Sequence, residues 1–360
     1  MRNPNRPAAR GFSIRVLLLA DTHCGFDLPV HPRVQRRRRG HDFQVNFRRS
    51  LEPALRGEVD LVVHGGDLFY RARLPPSIIE LGLGPLVKVA ERGLPVFLVP
   101  GNHERARIPR HLWAAHPNLH IFETPCTFTC RIQGRTVALS GFPFVRQARH
   151  RFIDLVRATG HAETPADLKL LCAHIAFEGA QVGVQNYTFR RAPDVVRGAD
   201  IPEGFAAVLS GHIHRGQVLT DDLSGRPLAA PVIYPGSVEP ASFAEREERK
   251  GCFILNFEAR PGGQGRLTDL RFHSLPTRTM VEITLRADGT DRRSLLREAA
   301  DHLRRLDPHA VVRVRWALPD AHLSPSDLRA LAPPEMNIEI PYARPSGDVS
   351  RPDAAGIGPA

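Results

Sequence analysis

Cysteine is scarce in this chain: five in 360 residues, an odd number, scattered as Cys24, Cys126, Cys130, Cys172 and Cys252. Such usage excludes a disulfide-stapled scaffold and favours a reducing, cytoplasmic setting. Long apolar runs are missing too. No window approaches the ~18 uninterrupted apolar residues of a membrane span. The N-terminal MRNPNRPAARGF lacks the apolar stretch of a secretory signal, so no membrane association is expected. Lysine is nearly absent, with Lys88, Lys169 and Lys250 supplying three of the 49 basic residues. No internal repeat is visible. What remains is an ordinary globular composition, 42% hydrophobic and 24% charged, long enough for two or three domains and at least one large core.

The formal net charge is +11. A polyanionic partner would explain it, and so would the arginine bias of a GC-rich genome. The run Arg36-Arg37-Arg38-Arg39 is more specific. It reads either as a solvated loop or as a phosphate-contacting patch.

Up to about residue 275 the chain repeats a short apolar run, a loop and an amphipathic stretch. IRVLLLA (14–20), DLVVHGG (from Asp60), PVFLVPG (from Pro95), VALSG (from Val137), LKLLCAH (from Leu168) and AAVLSG (from Ala206) suit strands buried on both faces. Helical patterns lie between them, as in Phe43 to Arg56 and Ser77 to Arg92, which predicts a layered α/β domain. After Gly211 a hairpin signal at 221–225, between QVLT and APVIY, predicts an antiparallel second half. A boundary is expected near Leu275-Pro276. Beyond it a strand, a helix over Arg292 to Arg305 and a second strand form a β-α-β unit too small to stand undocked. Residues 1–12 and the tail from Arg344 are expected to be disordered, leaving domains at 13–275 and 276–343.

Residues able to bind metal cluster where the predicted strands end. Asp21 and His23 follow the first in D-T-H-C-G, and Asp67 follows the second in G-G-D. Asn102 and His103 follow the third in G-N-H-E, His174 ends the LKLLCAH strand, and His212 and His214 follow AAVLSG in G-H-I-H. Ligand sites in open α/β sheets lie beyond the carboxyl ends of the strands, so these segments can converge on one crevice. Carboxylates, imidazoles and one amide oxygen together suit Mn, Fe or Zn better than Mg or Ca. Seven ligands exceed the four of a structural zinc site, and a shared carboxylate can bridge two ions about 4 Å apart. Such a pair activates water and clamps the attacking and leaving oxygens of a phosphoester displacement.

These blocks resemble the signature of the calcineurin-like metallophosphoesterases. G-D-L-F-Y-R-A-R-L-P-P and Y-P-G-S-V-E-P-A-S-F-A-E-R-E-E-R-K-G further resemble DNA-repair nucleases of the SbcD kind, over roughly residues 13–258. The resemblance implies a four-layer α-β-β-α sandwich of two mixed sheets, with the unit after 276 as a small cap. It implies one ion, most simply Mn, on Asp21, His23, Asp67 and His214, and a second on Asp67, Asn102, His174 and His212. His103 would stabilise or protonate the leaving side. The partners implied are DNA, a coiled-coil ABC-type ATPase and a second copy of the chain. The alternatives are a small-molecule phosphodiesterase or phosphatase, or a DNA-end-binding module with weakened exonuclease activity.

The chain departs from that pattern at several places. Tyr70 stands where the repair nucleases commonly carry a second histidine. A phenol can hydrogen-bond phosphate but, with a pKa of about 10, supplies no proton near neutrality. Cys24 replaces a leucine, as a packing or a redox-sensitive residue. Cys126 and Cys130 alternate along a strand, as core residues would. The 20 residues after Ile340 hold no counterpart of the family's partner-binding helices.

Overall fold

The computed structural model describes residues 12–27, 37–105, 108, 116–262, 265–286, 292–316 and 323–340. Residues 1–11, Arg36 and the 344–360 tail lie outside the described residues. Two six-stranded sheets form the body. The first has the order β16 (Arg266–Ser274), β15 (Gly251–Ala259), β1 (Phe12–Leu19), β2 (Leu61–His64), β3 (Val96–Leu98) and β4 (Leu119–Ile121). The second runs β13 (Gln217–Asp221), β14 (Pro227–Tyr234), β12 (Ala207–Ser210), β7 (Leu168–Ala173), β6 (Arg135–Gly141) and β5 (Cys126–Ile132). Two short ladders, β8 (Ala176–Phe177) with β11 (Val195–Val196) and β9 (Gln181–Val182) with β10 (Tyr187–Thr188), flank the second sheet's loops.

The continuous apolar runs are explained by burial on both faces. Along β1, Val16 and Leu18 face the second sheet, packing with Leu139, Leu170 and Leu209. The alternate residues Leu17 and Leu19 face outward, against Phe47 of helix Arg39–Ser50 and Leu83 and Leu86 of helix Pro76–Glu91. The second sheet does the same with helix Ala148–Ala158, where Phe152 and Val156 cover Leu171, Val208 and Val232. Helix, sheet, sheet and helix thus make four layers, each joined to the next by apolar burial. No helix among the described residues is long and apolar enough to cross a membrane.

The second half of the chain is not uniformly antiparallel. β13 and β14 form the expected hairpin, and β15 pairs antiparallel with β1 and β16. β14, however, lies parallel to β12, Val208 opposite Val232. The turn residues report the hairpin but not the neighbour that β14 finds on its other edge. The helix expected over Phe43 to Arg56 is also divided, running Arg39–Ser50 and then Glu52–Leu55 with Pro53 in the first turn of the second piece.

After residue 279 three parallel strands, β17 (Met280–Leu285), β18 (Val311–Trp316) and β19 (Asn337–Glu339), build a separate sheet. Helix Arg292–Arg304 buries Leu295, Ala299 and Leu303 against Val312 and Val314. The unit exceeds the expected β-α-β by helix Pro325–Leu331, which a Ser324–Asp327 capping box starts, and by β19. Three-residue β19 carries too little periodicity to announce a strand.

Candidate metal centre

Four of the predicted ligands sit on left-handed backbone: Asp21 (φ 51°), His23 (φ 44°), Asp67 (φ 51°) and His212 (φ 82°). Non-glycine residues rarely hold this conformation unless their surroundings impose it. Here the loops brace one another. Asp21 N donates to Gly66 O (2.9 Å), His23 N to Asp67 O (3.0 Å) and Cys24 N to Leu68 O (2.8 Å). The turns are sharp because glycine lets them be. A Cβ on Gly66 (φ 110°) would meet His174 Nδ1 at 2.2 Å, and one on Gly101 would meet Asp67 Oδ1 at 2.1 Å.

All seven predicted ligands and His103 converge at the carboxyl ends of β1, β2, β3, β7 and β12. Ligand atoms of Asp21, His23 and His214 lie within 4.8 Å of one another, as do those of Asp21, Asp67 and His174 and those of His23, Asp67 and His103. His23 Nε2 and His214 Nε2 face each other at 3.1 Å. Asn102 Oδ1 lies 3.1 Å from His174 Nε2 and 3.0 Å from His212 Nδ1. His174 Nδ1 donates to the Gly65 carbonyl (2.8 Å), leaving Nε2 to point at Asp67 Oδ2 (3.3 Å).

The electrostatics ask for positive charge. Burial pushes the Asp21 carboxyl up to about 6, partly opposed by His214 and His174. Burial also disfavours Asp67 as an anion, yet the neighbouring His174, with His23 and His103, holds it well below the usual carboxylate range. Burial alone would lower His174, but Asp67 and Asp21 raise it to about 9. The carboxylates thus favour a proton on His174, whereas burial drives His23 well below the usual imidazole range and His212 down to about 3. A buried His23 Nδ1 has no hydrogen-bond partner, an uncommon state for a buried polar atom. Divalent cations fit this donor set: facing imidazole nitrogens and buried carboxylates are neutralised together by one positive centre.

His103 occupies the mouth. Its Nδ1 donates to the Tyr70 main-chain carbonyl at 2.8 Å and its Nε2 lies 3.8 Å from Asp67 Oδ2. The Tyr70 ring sits 5.4 Å from the His103 ring and 4.9 Å from Phe26, with the Arg71 guanidinium 5.7 Å over it. Tyr70 thus holds His103 through its backbone carbonyl and packs its ring beside it.

The described members of the arginine run, Arg37, Arg38 and Arg39, are each ion-paired. Arg37 pairs with Asp42 (2.6 Å) and Arg38 with Asp27 (2.5 Å). Arg39, 5% exposed, reaches the Pro240 carbonyl and Glu339 of the C-terminal unit (3.4 Å). Asp42 also pairs with buried Arg278 at 2.9 Å. Arg37, through Glu335 and Asn337, and Arg39, through Glu339, help fasten the C-terminal unit to the body, whereas Arg38 stays within the body on Asp27. Arg71, Arg73 and Arg105, close in sequence to Tyr70 and His103, are exposed instead.

Two carboxylates went unnoticed in the sequence. Glu104, after His103 in G-N-H-E, accepts from Phe69 N (2.7 Å) and Gly101 N (2.8 Å) and so ties two ligand loops together. Burial and then the Asp67 charge push it up to about 8. Glu245 bonds His214 Nδ1 at 3.1 Å. Its place in the E-R-E-E-R-K stretch looks like a solvated charge run. Cys24 is buried against Phe47 and Leu68 and its thiol is pushed up to about 12 by burial, a packing role. Cys126 and Cys130 pack on the inter-sheet core.

Residues 14–216 match the calcineurin-like phosphoesterase family profile. The chain belongs to that family. Among curated relatives it is 31% identical over 285 residues to the DNA double-strand break repair protein Mre11 of Haloferax volcanii, covering 76% of this chain and 55% of that protein. The Mre11 of Methanopyrus kandleri is 25% identical over 271 residues, 68% of this chain and 54% of that one. The chain therefore spans about half the length of these relatives. Solved structures are more distant: a dimetal phosphatase from Danio rerio aligns over 71% of this chain and 98% of that one at 12% identity, with a TM-score of 0.40.

Proposed function

We propose that this calcineurin-like phosphoesterase is a two-metal phosphodiester hydrolase that acts on DNA in the manner of a repair nuclease. The observation that carries the reading is the convergence of seven ligand-competent side chains at the strand ends of the sandwich, with Asp67 common to two of the clusters they form. Asp21, His23, Asp67 and His214 would hold one ion, and Asp67, Asn102, His174 and His212 the other, with Mn favoured over Fe or Zn. When bound, such ions supply the charge that activates water and neutralises a phosphodiester oxyanion.

The chain's own groups do the rest. Asp67, anchored by the His103 amide at 3.0 Å, sets the spacing of the two positions. His103, fixed through the Tyr70 carbonyl, turns Nε2 to the cleft, where an imidazole can pass a proton to a departing oxygen. Exposed Arg71, over the Tyr70 ring, and exposed Arg105, two residues past His103, suit phosphates flanking the scissile one. The names of the curated relatives support DNA as the polymer. Metal-stripped protein reloaded with Mn²⁺ should cleave linear or nicked DNA as well as a bis-aryl phosphodiester. Turnover of the small diester alone would replace this reading with a small-molecule phosphodiesterase.

A further inference from the structure

Behind His214 lies a buried polar network outside the chemistry described so far. Glu245, 5% exposed, ends the short turn Phe243–Glu245. Its Oε1 meets His214 Nδ1 at 3.1 Å, while Oε2 accepts from Lys250 Nζ at 2.7 Å and Ala241 N at 3.1 Å. Lys250, 1% exposed, gives its remaining protons to the His214 carbonyl (2.9 Å) and Glu248 Oε2 (3.0 Å). One ion pair therefore grips His214 by ring and by backbone. Glu248 continues the chain, accepting from Arg215 Nε at 3.1 Å. The lysine is needed: a carboxylate buried this deeply is tolerated only when paired and hydrogen-bonded.

The other imidazoles of the centre are held differently. His174 Nδ1 leans on a backbone carbonyl, His212 Nδ1 faces Asn102, and His23 Nδ1 has no partner. A carboxylate behind a ligating imidazole keeps the proton on Nδ1, aims the Nε2 lone pair and raises its basicity.

We propose that Glu245, locked by Lys250, is a positioning residue: it presents His214 Nε2 to the ion shared with Asp21 and His23. That position consequently binds metal more tightly than the one at His174 and His212. The inference rests on the two-metal reading. Its test is calorimetric titration of Mn²⁺ into the metal-stripped full chain, with ¹⁵N spectra of the His214 ring before metal is added. Wild type should show two classes of site and an Nδ1-protonated ring. Glu245→Gln should weaken the tight class, and because it leaves Lys250 with Glu248 as its one carboxylate partner, Glu245→Leu/Lys250→Met removes both charges together. In the folded double variant the tight class should weaken about 10–100-fold, with the weak class unchanged and the ring no longer held as the Nδ1–H tautomer. An unchanged isotherm in that folded variant, or equal weakening of both classes, would overturn the role of Glu245 while leaving the two-metal reading intact. Wild type binding fewer than two Mn²⁺ would overturn both.

Discussion

Gly101→Ala is a one-carbon perturbation aimed at the centre. The added Cβ would lie 2.1 Å from Asp67 Oδ1 and 2.5 Å from Asp67 N, where ordinary contacts begin near 3.4 Å. Something must retreat by roughly an ångström, and Asp67 has little room. Its Oδ1 accepts from His103 N at 3.0 Å, its Oδ2 lies 3.3 Å from His174 Nε2, and its backbone is already left-handed. Overpacking of this kind typically destabilises by about 1–3 kcal/mol. A misplacement of about 1 Å at reacting groups lowers rates roughly 10²-fold. The variant should therefore remain folded while losing about two orders of magnitude in kcat/KM on a bis-aryl phosphodiester with Mn²⁺, and at least one bound metal. Gly84→Ala is the matched control, since its nearest neighbour would be Glu80 Cγ at 3.9 Å in a helix interior. That change should stabilise by about 0.5–1 kcal/mol and leave the rate alone. Normal metal content and a rate within a few-fold of wild type for Gly101→Ala would refute the placement of Asp67 as the bridge.

Other perturbations probe separate parts of the structure. His103→Ala should keep both metals but lower the chemical step by roughly 10²–10⁴-fold; metal analysis showing a lost ion would make His103 a ligand instead. Tyr70→His should raise turnover on linear duplex and barely alter an activated small diester if the phenol weakens proton delivery, whereas a fall on both substrates would mark Tyr70 as fitted to its own site. Arg71→Ala with Arg105→Ala should flatten the salt dependence of DNA binding by about two units of slope, while an unchanged slope would move the phosphate track elsewhere. Glu239 is raised to about 7 by burial, with Asp42 adding. A carboxyl whose folded value exceeds its unfolded value stabilises the fold below the unfolded value and loses that contribution as pH rises through about 4.5 to 7. Glu239→Gln should accordingly flatten stability across that window, by up to about 3 kcal/mol, in denaturant melts at several pH values; identical profiles would show that Glu239 is not protonated in the fold.

The predicted ligands were legible because they sit where local rules concentrate them. Strands such as IRVLLLA and LKLLCAH are apolar on both faces, so a histidine or aspartate at their ends cannot pass for core. The Gly-Gly before Asp67 and the Gly before Asn102 mark turns whose carbonyls and side chains must come close. Residues whose role depends on a distant partner were not legible. Glu104 and Glu245 carry no local sign of burial, and in sequence Lys250 closes a charged run that reads as solvent-facing.

Local pattern by itself pointed to the layered α/β architecture, the strand-end clustering of Asp21, His23, Asp67, Asn102, His174, His212 and His214, and a further β-α-β unit beyond Leu275-Pro276. These follow from periodicity and from which residues tolerate a buried strand end. Tertiary structure alone decided what the charges do. It gave Arg37 and Arg39 to Asp42 and Glu339, the latter 300 residues away along the chain, and set β14 parallel beside β12. It also placed the Glu245–Lys250 pair behind His214. An ion pair or a strand edge is satisfied by whichever complementary group the packed core brings within reach, and that distance is a property of the folded chain.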